Sequence, residues 1–321
     1  MTKLLDRLRA HAETIIPATL AYRPQVPLHR DVWQTPDQDQ IAVDVLNGQS
    51  PQAPVMILFH GLEGSSQSHY ARQLLAKAQS LGWHAVVPHF RTCGGLGNLQ
   101  ARAYHAGDSQ EIDWMISQVI NRYPDNPRFA VGISLGGNAM LKWLGEYPEK
   151  ARQWVRAAVS ISAPMDLTKA GDSLDKGWNR RLYSQTFLKT LKPKLKQLLI
   201  RHPALQHRYS MEKLARIDTI RAFDDLFTAP LHGYRDVNDY WQRASSLPYL
   251  QFVTVPTLVL NARNDPFIPA DSLPTQEQVS ASITLDFPAH GGHAGFIHAW
   301  PWMRYNSKLP QKIFHFCQQQ L

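Results

Sequence analysis

Ser134 stands in Gly132-Ile133-Ser134-Leu135-Gly136-Gly137, between the apolar run from Arg128 to Val131 and a stretch with helical spacing from Leu135 to Glu146. A serine at a tight strand-to-helix turn can act as a nucleophile, because the turn lifts its hydroxyl clear of the backbone. Gly132 and Gly136 remove the Cβ atoms that would clash as strand passes straight into helix. The start of the following helix favours developing negative charge. A serine hydroxyl is a weak nucleophile unless a base takes its proton. For a serine in this setting the acid and then the base follow later in the chain, on loops after later strands.

Two loops fit that order. Thr257 to Asn261 reads as a strand, and Asp265 sits just beyond its end, where a carboxylate can orient an imidazole; Asp271 is the rival, deeper in the loop. After the strand from Ile283 to Phe287 comes His290-Gly291-Gly292-His293-Ala294-Gly295-Phe296. His293 is the preferred base, because glycines flank it and Phe296 can anchor the loop behind it. His290, nearer the strand end, is the rival. The tetrahedral intermediate of acyl transfer also needs two N–H donors for its oxyanion. One is the backbone of Leu135, the residue after the nucleophile. The other belongs to the loop His60-Gly61-Leu62-Glu63-Gly64 after an earlier strand, where the N–H of Leu62 is the candidate. His290, His293 and His298 lack the spacing of a helical zinc motif, and no carboxylate or cysteine cluster completes them, so no metal and no cofactor is expected.

The elements that must hold these residues alternate. Strands are expected at Val55–Phe59, His84–Pro88, Arg128–Val131, Ala157–Ile161, Thr257–Leu260 and Ile283–Phe287. Helices fall between them at 69–81, 108–122 and 135–146. Arg30 to Asn47 alternates around Thr35-Pro36-Asp37 as a hairpin would. Leu4, Leu5, Leu8 and Ile15-Ile16 suit a short amphipathic helix, and 298–319 a closing helix broken near Pro301 and Pro310. Strands alternating with helices imply an α/β fold with a mostly parallel sheet covered on both faces. The alternation stops between 165 and 246. There Leu188, Leu191, Leu195 and Leu198 recur at helical spacing, with Pro193 expected to break the helix in two. The organisation read from this is an N-terminal part of the core at 1–164, a helical, basic cap insertion at 165–246 and a C-terminal part of the core at 247–321. An insertion at that place lies over the ligand crevice.

The chain has 321 residues, 44% of them hydrophobic and 19% charged, which excludes disorder. Two cysteines, Cys93 and Cys317, are too few for a disulfide framework, and Cys93 reads as a packing residue. No apolar run reaches the ~18 residues that would cross a bilayer, and charges interrupt the N-terminus before a signal sequence could form. The expectation is a cytoplasmic protein. The net charge is +8, and it is local: residues 176–216 hold eleven Lys and Arg against Glu212 alone, +10, which leaves the remainder at −2. Such a patch suits an anionic membrane surface in peripheral contact, or it is a solvated face. No nucleic acid partner is expected.

With these pieces assembled, the chain resembles the α/β-hydrolase superfamily, and within it the YheT-like hydrolases and their eukaryotic abhydrolase-domain relatives. The resemblance runs from about Arg30 onward. It rests on the segments 60–64, 89–95, 104–108 and 132–139, on Phe223-Asp-Asp-Leu-Phe-Thr-Ala-Pro230 with His232-Gly233-Tyr234, and on Asp239-Tyr240-Trp241, Asn264-Asp265-Pro266 and His290-Gly-Gly-His293. It implies an α/β-hydrolase fold, esterase or lipase-like activity, and a nucleophile, acid and base at Ser134, Asp265 and His293. Arg91-Thr92-Cys93-Gly94-Gly95 departs from the Arg-Gly-Cys-Ser-Gly usual in the family, in a loop that can line the site. The leading expectation is a serine hydrolase acting on small-molecule acyl esters of short to medium chain. Alcohol acyl transfer or phospholipase action with the same three residues is the enzymatic alternative. A basic module binding anionic lipid or nucleic acid is the non-enzymatic one.

Overall fold

A computed structural model describes residues 2–297 and 307–321. Eight strands, β1 (His29–Gln34), β2 (Gln40–Leu46), β3 (Val55–Phe59), β4 (His84–Pro88), β5 (Arg128–Ile133), β6 (Ala157–Ile161), β7 (Thr257–Leu260) and β8 (Ile283–Asp286), form one sheet in the order β1-β2-β4-β3-β5-β6-β7-β8. β1 and β2 make the antiparallel hairpin, β2 runs antiparallel to β4, and every later pairing is parallel. The inner strands β3 to β7 are short and mostly apolar because both faces are covered, while the edge strands β1 and β8 are more exposed. Along β3, Val55, Ile57 and Phe59 enter one core while Met56 and Leu58 enter the other, as the two-residue period of a strand requires.

The helices of the core are α1 (Thr2–Leu20), α2 (His69–Ser80), α3 (Ser109–Arg122), α4 (Leu135–Glu146) and α5 (Pro148–Trp154). Between β6 and β7 lie α6 (Leu167–Leu174), α7 (Gly177–Asn179), α8 (Gln185–Arg201), α9 (Met211–Arg216), α10 (Ile220–Phe223), α11 (Ala229–Leu231) and α12 (Val237–Ala244); α13 (Leu309–Gln318) follows β8.

Three expectations are corrected. Pro193 does not break α8, which runs unbroken from Gln185 to Arg201. A proline costs the helix one hydrogen bond, here to the carbonyl of Lys189. Both residues face solvent, where water can reach that carbonyl, while buried Leu188, Leu195, Leu198 and Leu199 hold the two halves against the core. Pro310 does not interrupt the last helix either: it sits in the first turn of α13, where its missing N–H has no intrahelical partner to lose. The rest of that expectation, His298 and Pro301 included, lies outside the described residues. Finally, α1 is not short. It spans 19 residues, and its middle reaches the candidate site. No helix among the described residues is long and apolar enough to cross a membrane.

Candidate active site

Ser134 closes the turn between β5 and α4 with φ 52°, a left-handed conformation that non-glycine residues seldom hold outside functional turns. The turn is possible because its neighbours lack side chains. A Cβ on Gly132 would come within 2.6 Å of the Gly137 Cα, and one on Gly136 within 2.5 Å of the carbonyl oxygens of Phe59 and His60. Those neighbours are backbone and cannot yield. The Ser134 N–H donates to the Ile161 carbonyl at 2.8 Å, which fixes the turn to β6.

The structure brings Ser134, His293 and Asp265 into one line. His293 Nε2 lies 2.9 Å from Ser134 Oγ, and His293 Nδ1 lies 2.8 Å from Asp265 Oδ2. The other carboxylate oxygen of Asp265 accepts the Phe267 N–H at 2.8 Å, and the Phe267 ring stacks on the imidazole at 4.0 Å between centres. The Asp265 side chain is fully buried. The two rivals lie elsewhere. Asp271 is exposed and faces Lys169, and His290 is exposed beside Asn264.

Four consecutive N–H groups hold the histidine loop, and sequence reasoning identified none of their acceptors. Gly291 donates to Glu13 Oε2 (3.0 Å), Gly292 to Asn264 Oδ1 (3.1 Å), His293 to Thr14 Oγ1 (3.0 Å) and Ala294 to Ser162 Oγ (3.0 Å). Burial alone would raise the Glu13 pKa, but hydrogen bonds from Asn264, Arg9 and the Gly291 N–H hold it below the usual carboxylate value. Glu13 and Thr14 lie about 280 residues away in sequence, on α1. No local motif marks them. Asn138, within the segment 132–139, is a further positioning residue that no spacing marks. Its amide donates to the carbonyls of Ala106 and Ala244 and accepts the Ser246 N–H, each at 2.9 Å, tying α4 to the end of the helical segment.

The loop after β3 lies against the serine: a Cβ on Gly61 would sit 3.2 Å from that of Ser134. Two tyrosines position its backbone. The Gly61 N–H donates to the Tyr70 hydroxyl and the Glu63 N–H to the Tyr104 hydroxyl, both at 3.0 Å. Among the described residues the N–H of Leu62, between them, has no partner, and neither has that of Leu135. His60 is not available as a base. Burial, with repulsion from His89, pushes its pKa down to about 3. Its Nε2 accepts the Phe90 N–H at 3.1 Å, so Nδ1 carries the proton and donates to the Gly61 carbonyl at 2.8 Å.

Ser134, His293, Leu62 and Leu135 border a cavity of about 160 Å³ that is lined mainly by apolar side chains. Leu167, Leu191, Leu195 and Phe227 come from the segment between β6 and β7, and Thr92 comes from the loop that departs from the family pattern. Arg91 turns away from the cavity, buried among Asp37, Asp39 and Glu111. Cys93 is buried and its thiol is pushed up to about 11, first by burial, so it stays protonated and packs. No three His, Cys, Asp or Glu side chains among the described residues are grouped as a metal ion would need.

Lys194 does not lie on the outer basic face. From α8 it reaches Glu63, Nζ to Oε1 at 2.8 Å, and lies 3.5 Å from Cys93 Sγ. The same Glu63 oxygen accepts the Tyr104 hydroxyl at 2.7 Å, and Glu63 holds φ 56°. The ion pair therefore braces a strained residue next to the Leu62 donor. Lys194→Met leaves the Glu63 charge nearly buried without its cation, and kcat for an ester is expected to fall about tenfold. KM should change little, and Lys194→Arg should restore most of the rate. Steady-state kinetics of the two variants check this; an unchanged kcat in Lys194→Met would show that the pair does not align the loop.

Residues 54–299 match the family described as alpha/beta hydrolase fold. YheT of Escherichia coli, which carries the name of an esterase, is 35% identical over 308 residues, covering 94% of this chain and 88% of that protein. The phospholipase ABHD3 of Mus musculus is 28% identical over 91% of this chain and 72% of its own length. Among solved structures, an esterase of Pyrococcus furiosus superposes with a TM-score of 0.59 at 15% identity, over 92% of this chain and 93% of the other. That last likeness is one of fold.

Proposed function

The chain belongs to the α/β-hydrolase family, among the YheT-like hydrolases, and on that premise we propose that it is a serine hydrolase cleaving acyl esters through an acyl-enzyme. The observation that carries this reading is the hydrogen-bonded line from Asp265 through His293 to Ser134, ending at an apolar cavity. In this mechanism His293 takes the Ser134 proton as the oxygen attacks the ester carbonyl, and the Asp265 carboxylate stabilises the imidazolium. The N–H groups of Leu62 and Leu135 bind the oxyanion of the tetrahedral intermediate. Collapse of that intermediate expels the alcohol, which takes the proton from His293. Water then attacks the acyl-serine, His293 again holds the proton, and the acid leaves with Ser134 restored.

The apolar lining and the size of the cavity favour an unbranched acyl chain of short to medium length. Relatives named as an esterase and a phospholipase add weight to ester cleavage. A fluorophosphonate probe and p-nitrophenyl esters of rising chain length test the reading. The probe should label the chain at Ser134, and turnover should peak among the shorter esters. An unlabelled, inactive, folded protein would overturn it. Product analysis with added alcohol separates hydrolysis from acyl transfer.

A further inference from the structure

α1 and the turn that opens the helical segment share one corner of the molecule. Leu4 and Leu8 of α1 line a crevice of about 610 Å³ together with Lys176, Gly177 and Trp178. His11 stacks on Trp178 with 6.2 Å between ring centres, and its Nδ1 lies 2.9 Å from the Tyr183 hydroxyl, which pins α1 to the segment. A second crevice, of about 600 Å³, continues from Trp178 along Arg180 and Arg181. Of the twelve large apolar side chains exposed among the described residues, three line this crevice: Leu4, Leu8 and Trp178. Single exposed apolar residues need no explanation, but a cluster of them marks a contact surface. Trp178, 62% exposed, is its most prominent member.

The surrounding charge says what the surface meets. Arg7, Lys176 and Arg181 have no acidic partner among the described residues. Two acids border the crevices: Asp6, exposed on α1 beside Arg7, and Asp175, whose carboxylate accepts the N–H groups of Ile220 and Arg221 at 2.8 Å; Arg7, Lys176 and Arg181 outnumber them. Arg180 is paired with Asp218. The core of a protein–protein interface is depleted in lysine and in charge generally. Trp and Leu set among unpaired Lys and Arg are instead the composition that settles at the headgroup boundary of a bilayer. We propose that this corner docks on an anionic lipid bilayer, with Trp178, Leu4 and Leu8 entering the headgroup boundary and Arg7, Lys176 and Arg181 facing lipid phosphates. The surface is thus one corner of the basic segment joined to α1, not the whole of residues 176–216.

The test is co-sedimentation of the full chain with phosphatidylcholine vesicles, with and without phosphatidylglycerol, at low and high salt. Binding is read without turnover, so its outcome is independent of the proposed reaction. The unmodified protein should bind the anionic vesicles at low salt and less at high salt. Leu8→Ser with Trp178→Ser should weaken binding about tenfold or more, and Lys176→Glu with Arg181→Glu should weaken it comparably. Lys189→Glu with Lys196→Glu, the same charge change on the exposed face of α8, should leave most of it. Circular dichroism checks that each variant is folded. No binding of the unmodified protein at low salt would overturn the proposal. Equal loss in the Lys189/Lys196 variant would also overturn it, because general charge would then explain the attraction.

Discussion

Ser134→Ala and His293→Ala should each lower kcat/KM for a p-nitrophenyl ester by about 10⁴-fold or more, the largest effects expected anywhere in this chain. The reason is the line of contacts at 2.9 and 2.8 Å: without the serine there is no bond to form, and without the imidazole nothing removes its proton. The combined variant should be no worse than either single one, because the groups act as a unit. Asp265→Asn keeps the side-chain volume but turns an acceptor toward Nδ1 into an amide, so it too should lose several orders of magnitude. His290→Ala is the control. Its ring is exposed and 3.5 Å from Asn264, and turnover should stay within about twofold. The pattern His290→Ala inactive and His293→Ala active would sink the assignment of the base.

The second large effect is on stability. Burial pushes the pKa of His60 and of His105 down to about 3 and that of His69 down to about 4, and His11, His89 and His232 are lowered as well. These histidines stay neutral when folded and take up protons when unfolded, so below their ordinary value of about 6.5 the unfolded state binds more protons. Stability then falls as pH falls, at roughly 1 kcal/mol per pH unit for each of His60, His69 and His105, whose lowered values lie at about 3 to 4. Two carboxyl groups oppose this. Burial raises Asp224 to about 6 and Glu111 to about 7, so they favour the folded state at low pH and lose that contribution as pH rises through those values. The deep shifts of His60, His69 and His105 outweigh the two carboxyl groups. The urea midpoint should therefore drop steeply between about pH 6.5 and pH 4. Denaturation curves across that range check it. A midpoint flat over the window would show that the histidines take up protons without unfolding the chain.

Much of the architecture was legible because it is written in local pattern. The short apolar runs at β3, β4, β5, β6 and β7 mark strands covered on both faces, and the glycines around Ser134 mark a turn that tolerates no side chains. Where local pattern misled, burial had overridden propensity: Pro193 sits inside α8 because four leucines on the buried face outweigh one lost hydrogen bond.

What the sequence alone determined is the set of groups that could do chemistry and their order on the strands: Ser134 on its turn, then Asp265, then His293, with the loops that hold them. What only the tertiary structure decided is which groups those loops rest on. The four acceptors that hold 291–294 come from α1, from the end of β7 and from the end of β6. Lys194, one of eleven basic residues in a segment read as an outer face, is turned in toward Glu63 beside the Leu62 amide. Neither fact leaves a trace in spacing. A hydrogen bond or an ion pair acts over about 3 Å, and residues that far apart in space can be any distance apart along the chain.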